Sequence, residues 1–342
     1  MMNQIFTYAL AIGMFGAALL AADHPEAAIS NGSIRARVAL PDATKGYYRG
    51  TRFDWSGLIT SLESQGHNYF APFYEKFDPA VRDVDFKQTV LAGPISAVSG
   101  PAEEFSVIGY PEAKTGGTFL KIGVGALKKP EEPRYDHYFM YEIAVPGKWT
   151  VHKTGNQVEM TQEVHDPASG YGYIYRKTIR LLNGQPKMVL EHSLKNVGGK
   201  ALEGNVYDHN FFVIDHQPTG PDFALKFAFE PKTAREMPKS AEMRDRQINY
   251  LNPLGGGDVV QTQIQGFGAA ASDYDFRVEN RKTGAGVHVT GDHPLSRMML
   301  WSIRTTVCPE AFVDFHVEPG QEFKWDIQYE FYSLPGSSAP RP

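Results

Sequence analysis

The residues best suited to chemistry lie in the stretch Gly204 to His216, where Asp208, His209 and Asn210 stand side by side in a strand-like apolar run that continues through Phe211 and Phe212. Histidine can give or take a proton near neutral pH, and a neighbouring carboxylate and amide can orient its ring. The same composition fits a satisfied structural histidine at a strand end. A second cluster lies earlier, where Tyr47, Tyr48, Phe53 and Trp55 surround Arg49, Arg52 and Asp54. Guanidinium and carboxylate groups can each bind two hydroxyls while aromatic rings cover apolar faces, so this loop suits a polyhydroxylated ligand. The alternative is a packed loop pinned by Arg-to-Asp pairs. His67, Asn68 and Tyr69 follow, and Glu103 and Glu104 read as solvated residues of a polar loop, with one of them able to reach a ligand.

Strands must position these residues. Ser33 to Leu40 alternates apolar and polar side chains, as do Met188-Leu190-His192-Leu194 and Phe223-Leu225-Phe227-Phe229. The period is clearest near the C-terminus, where Phe323, Trp325, Ile327, Tyr329 and Phe331 interleave with Glu322, Lys324, Asp326, Gln328 and Glu330. A period of two is the mark of a half-buried antiparallel strand. Tyr171, Tyr173 and Tyr175 form an aromatic ladder that packing across strands accounts for better than an exposed stacking face. Turn signals at Asn183-Gly184, Asn196 to Gly199, Pro253 to Gly257 and Glu318-Pro319-Gly320 break the chain at hairpin intervals. Only Ala234 to Arg246 hints at helix, and Pro238 within it limits that to a turn or two. With no linker and no repeat, the expectation is an all-β chain: one large antiparallel β-sandwich domain over residues 23–342.

Residues 1–22 resemble an export signal, with the apolar stretch Ile5 to Leu20 followed by Ala21 and Ala22, which places the mature protein in the periplasm or outside the cell. No other apolar run is long enough to span a bilayer, so no membrane association is expected after cleavage. Cys308 is the only cysteine, which excludes an intramolecular disulfide and a cysteine-based zinc cage and points to a buried thiol. A net charge of −5 and the lack of a dense Lys/Arg run argue against a nucleic-acid partner.

The segment Leu190 to Phe212, a strand, the Asn196 to Gly199 turn and then Asp-His-Asn-Phe-Phe, resembles the aldose 1-epimerase (galactose mutarotase) superfamily. Two further segments follow in the family's order: Ser272 to Phe276, similar to its substrate-binding aspartate motif, and Met299-Leu300-Trp301 with Val307-Cys308-Pro309-Glu310 and the Glu318-Pro319-Gly320 turn, similar to its closing pattern. The resemblance implies a galactose mutarotase-like β-sandwich, His209 as catalytic acid, Glu310 as catalytic base and a small-molecule carbohydrate as partner. It implies sugar binding at Asp273, with Asp275 as competitor; beside it, the residues themselves extend the candidate site to Trp301, Asp208, His67, Arg52 and Arg49, the two arginines standing in a loop that has no counterpart in the family's pattern. The family's Asn-His-X-His-Gly-Gly-like loop, which carries a second histidine, has no counterpart in the N-terminal half.

Interconverting sugar anomers takes one base and one acid and calls for no metal and no other cofactor. Asp208, His209, Asp215 and His216 raise a metal-cluster reading, but the histidines are seven apart and no His-Glu-X-X-His spacing occurs. A serine hydrolase is disfavoured by the lack of a Gly-X-Ser-X-Gly elbow. The competing class is a noncatalytic carbohydrate-binding or polysaccharide-processing accessory protein, which has no need for Glu310 and His209 to face one another.

Overall fold

Alternating sequence becomes strand almost throughout. The computed structural model describes residues 24–73 and 99–335. Within them the chain forms antiparallel sheets of ten, six, four and three strands, with no α-helix among the described residues. The expected export signal lies outside the described residues, and no described helix is long and apolar enough to cross a membrane.

The ten-stranded sheet runs from Ala241–Arg244 at one edge to Lys148–Lys153 at the other. The C-terminal strand Glu322–Ser333 is an inner strand, paired with Lys187–Asn196 and Ala285–Gly291. Its Trp325, Ile327, Tyr329 and Phe331 are buried. They face the six-stranded sheet, whose order is Lys232–Thr233, Val260–Gln265, Arg297–Ile303, Thr306–Val317, Leu202–His209, Ala102–Phe105. Val206, Ala311 and Val313 meet Trp325 and Ile327 between the two layers. Each fully buried aliphatic or phenyl side chain of such a layer contributes roughly 1.5–3 kcal/mol. Of the tyrosine ladder, Tyr173 and Tyr175 are wholly buried and packed inside, while Tyr171 is half-buried beneath the Lys200 ammonium.

Two expectations are corrected. Ala234 to Arg246 forms no helix: Ala241–Arg244 pairs with Gln247–Tyr250 in a hairpin turned by Asp245 and Arg246, both at positive φ. Pro238 offers no N–H to a helix, and a two-residue turn with both φ values positive matches strand twist. Nor are Glu103 and Glu104 solvated. They lie in the strand Ala102–Phe105, and both are buried.

The smaller sheets bring loops to the open face of the six-stranded sheet. The four-stranded one (Glu26–Ser30, Ile34–Ala39, Ile59–Ser64, His67–Phe70) carries the Arg52 loop between its second and third strands. The three-stranded one (Thr118–Lys121, Gly125–Lys128, Ile143–Val145) carries Lys121 and, in its last connection, His137. Gly123, at φ +79°, lets these units meet, because a Cβ there would collide with the Asp54 carboxylate.

Candidate active site

Strand pairing lays the floor of a pocket as two adjacent rows on the open face of the six-stranded sheet. Glu104 stands opposite Tyr207, Tyr207 opposite Phe312, and Phe312 opposite Arg297. One step along, His209 stands opposite Ala102, and Glu310 stands opposite Met299. Residues two apart on a strand share a face, so Tyr207 and His209 both look into the pocket, as do Glu310 and Phe312. The cavity measures about 570 Å³, and Trp301, Phe73 and Phe211 supply aromatic wall.

His209 and Glu310 meet at its centre, with Nε2 3.2 Å from Oε1. The other ring nitrogen, Nδ1, is hydrogen-bonded to the Cys308 sulfur, which also accepts the Phe211 N–H at 3.4 Å. Phe211 stacks on the imidazole with centroids 3.7 Å apart, Phe73 stacks on Phe211 at 4.3 Å, and Trp301 meets the imidazole edge-on at 5.5 Å. Phe211 has φ +42°, in the left-handed region that bulky residues rarely adopt. That twist brings its ring back over His209 just past the end of the strand Leu202–His209.

Burial sets the protonation. It pushes the Glu310 carboxyl up to about 8, with Glu104 adding to the rise and Arg52 and Arg297 opposing it. Burial drives the His209 imidazole well below its usual range, and Arg52 lowers it further. Burial also raises the Cys308 thiol well above its ordinary value, so it stays protonated. The favoured state at neutral pH is therefore an uncharged pair, with the Glu310 O–H donating to Nε2 and Nδ1–H donating to sulfur.

Glu104 organises the wall beside this pair. Its carboxylate accepts from Arg52 Nε at 2.7 Å and from the Tyr207 hydroxyl at 2.6 Å. Lys121 Nζ lies 3.5 Å from it and His137 Nδ1 3.7 Å. Burial alone would raise this carboxyl, but Arg52, Lys121 and His137 outweigh it and hold it down to about 2. The Arg52 guanidinium lies 4.5 Å from the Phe53 ring centroid and 5.1 Å from that of Tyr138.

Of the residues expected at the site, the structure brings Glu310, His209, Arg52 and Trp301 together. The other four lie elsewhere among the described residues. Asp208 follows the opposite parity of its strand and is fully buried between the sheets. Arg49 donates to the Thr44 carbonyl at 2.7 Å within its own loop. Asp273 ends the 3-10 turn Ala271–Asp273 and accepts the Gly268 N–H. His67 lies 2.9 Å from Asp215, whose carboxylate also takes the Asn68 N–H at 2.9 Å, so it pins a hairpin to the turn Ile214–His216. Those contacts separate Asp208, Asp215 and His216 from His209 and dissolve the four-residue metal reading. His209, Cys308 and Glu310 do place ligand atoms within 4.8 Å of one another. In this structure His209 turns Nδ1 to the Cys308 sulfur and Nε2 to the Glu310 carboxyl, so the three side chains are joined as a hydrogen-bonded relay.

The chain superposes on solved structures of one fold. Over 91% of its length it is similar to 99% of a putative aldose 1-epimerase from Escherichia coli K12, at TM-score 0.54 and 13% identity. It is similar over 92% of its length to all of a galactose mutarotase related enzyme from Lactobacillus acidophilus (TM-score 0.51, 13% identity). It is similar over 91% to 99% of an aldose epimerase homologue from C. elegans (TM-score 0.51, 12% identity).

The fold is galactose mutarotase-like.

No protein-family model matches the chain, and no curated protein matches it. Within this galactose mutarotase-like frame, several pocket residues escaped the sequence reading. Arg297, Met299 and Trp301 are spaced i, i+2, i+4 on one strand, and Tyr207 lies two before His209, so parity alone could have found Arg297 and Tyr207. Lys121 shares its short strand with no motif, and His137 and Tyr138 sit in a connection whose position depends on packing across the pocket, so no local signal marks them.

Proposed function

We infer that this pocket binds a sugar and interconverts its anomers by proton transfer through Glu310 and His209. The observation that carries the reading is the 3.2 Å approach of Glu310 Oε1 to His209 Nε2 within an aromatic-walled cavity. The anomeric hydroxyl and the ring oxygen are both bonded to C1, so a sugar seated over the pair presents both to catalytic atoms that are themselves neighbours. One member of the pair takes the hydroxyl proton while the other protonates the ring oxygen, and the C1–ring oxygen bond opens to the aldehyde. After rotation about C1–C2 the roles reverse and the ring closes. The pair holds one proton throughout, whichever member carries it at rest. Each positioned transfer supplies on the order of a hundred- to ten-thousandfold. The fold shared with epimerase-like structures supports a carbohydrate ligand, and the partly exposed Trp301 offers a ring on which a pyranose can stack.

Polarimetry of freshly dissolved α-glucose and α-galactose, with NMR exchange for other sugars, tests the proposal. Glu310→Gln keeps the shape and removes the titrating carboxyl, so anomerisation should slow by at least about a hundredfold with smaller loss of binding. Equal rates for wild type and Glu310→Gln would leave a carbohydrate-binding protein without catalysis.

A further inference from the structure

Resting on the anomer-interconverting reading of the same pocket, we propose that the substrate is an anionic sugar whose carboxylate or phosphate is held by Arg297. Arg297 begins the strand Arg297–Ile303, on the pocket floor. Its guanidinium carbon lies over the Phe312 ring, 3.7 Å from the centroid, and Phe312 in turn stacks on Tyr207 at 4.1 Å. This contact holds the group over the ring while leaving its N–H groups unspent: no hydrogen bond or ion pair engages Arg297 among the described residues. A planar fork of this kind is built for the paired oxygens of a carboxylate or phosphate.

Position agrees with this role. Phe312, beneath Arg297, lies two residues from Glu310 on the same face, a separation of about 7 Å at strand rise. A pyranose with C1 over Glu310 and His209 therefore directs the group on its far side toward Arg297. Charge agrees too. Among the described lining residues, Arg52, Lys121 and Arg297 are cationic, against Glu104 and a Glu310 that burial keeps protonated at neutral pH. The pocket is thus electropositive within a chain of net charge −5. A cleft that contrasts in this way with its surroundings concentrates the opposite charge at its mouth.

The test is calorimetric titration of wild type, Arg297→Gln and Arg297→Lys with glucose, glucuronate, galacturonate and glucose 6-phosphate at low ionic strength. Anomer exchange is followed separately by NMR. The wild type should bind at least one anionic sugar roughly ten- to a hundredfold tighter than glucose, the scale of a charge-assisted hydrogen-bonded pair. Arg297→Gln should reduce that ratio to near one, and Arg297→Lys should restore only part of it. The uronate and phosphate arms identify which anion is read. Equal affinity for charged and neutral sugars in the wild type, a preference that survives Arg297→Gln, or no sugar binding at all would overturn the proposal. Arg297-dependent binding without anomer exchange keeps the anionic ligand and removes the epimerase reading. Anomer exchange with no charge preference does the reverse.

Discussion

Oε1 of Glu310 lies 3.2 Å from Nε2 of His209, and both side chains are buried, so the two titrate against each other and not against water. Glu310 is pushed up to about 8 and His209 well below its usual range, so one proton occupies the pair over a wide span of pH. The state with the proton on the imidazole and the state with it on the carboxyl have the same proton count, and the pH profile is blind to which one reacts.

That count fixes the shape of the profile. Anomerisation should be flat through neutrality, fall above about pH 8 as the pair loses its proton, and fall on the acid side only well below His209's ordinary range. NMR exchange rates from pH 4 to 10 give the measurement. A rate that rises through pH 8 would mean that the ionised carboxylate beside a neutral histidine is the working form.

A raised carboxyl also destabilises the fold with pH. Between its ordinary 4.5 and about 8 Glu310 holds its proton in the native state and loses it in the unfolded one, so the native state binds more protons and stability falls as pH rises. Glu310→Gln removes this penalty. The variant should gain on wild type between pH 5 and pH 8, by roughly a few kcal/mol at the upper end. Thermal melts at both pH values decide it, and a gap that does not widen with pH contradicts the assignment.

Glu104 has the opposite sign. Its carboxyl is held down to about 2, so its contribution is present above pH 4.5 and is lost as pH falls toward 2. Glu104→Gln leaves Arg52 and Lys121 without their shared carboxylate, and breaking a buried pair from one side costs about 3–5 kcal/mol. Urea unfolding at pH 7 should show that loss, and it should shrink at pH 3. The same variant should loosen the pocket wall, which sugar titrations would register as weaker binding.

Beneath the site, Lys177 is buried 3.3 Å from Glu103 and 3.7 Å from Asp54. Glu103 is bonded to His192 Nε2 at 2.5 Å and to the Tyr175 hydroxyl at 2.6 Å. Burial raises Asp54 to about 6 and Asp208 to about 7, in both cases with help from Glu103. Burial would raise Glu103 as well, but His192 and Lys177 hold it below the usual carboxylate range. Lys177→Met should therefore cost roughly 3–5 kcal/mol at pH 8 and less at pH 5, where Asp54 and Asp208 carry protons. A deficit that is the same at both values would show that Lys177 acts through packing alone.

Strand periodicity made most of the fold legible, because a half-buried strand writes its two faces into alternate residues. The site was legible only where that parity was respected. Asp208 and His209 look like partners in sequence, yet a strand sends neighbours to opposite faces, and Asp208 belongs to the interior network of Glu103 and Lys177. Trp301 and Glu310 were found through motif order, while Arg297, two residues before Met299 on the same face, was passed over. Arg49 and Arg52 carry the same chemistry three residues apart in a loop without period, and only the fold separates the one that reaches the pocket. His137 and Tyr138 reach the site through long-range packing that no local pattern encodes.

The adjacent acids Glu103 and Glu104 give the strand Ala102–Phe105 an unusual ambiguity. Sliding it one residue along Leu202–His209 would put one glutamate in the place of the other, so the side-chain type at that one position offers no defence against misalignment. Size does. Phe105 packs edge-on against Tyr175 and Trp325 inside, and a slip would turn it out and put Glu104 or Ser106 in its place. Correct alignment of the Glu104 wall thus depends on a phenyl ring packed between the sheets, and trimming Phe105 would blur the pocket's electrostatics while leaving every charged residue of the site in the sequence.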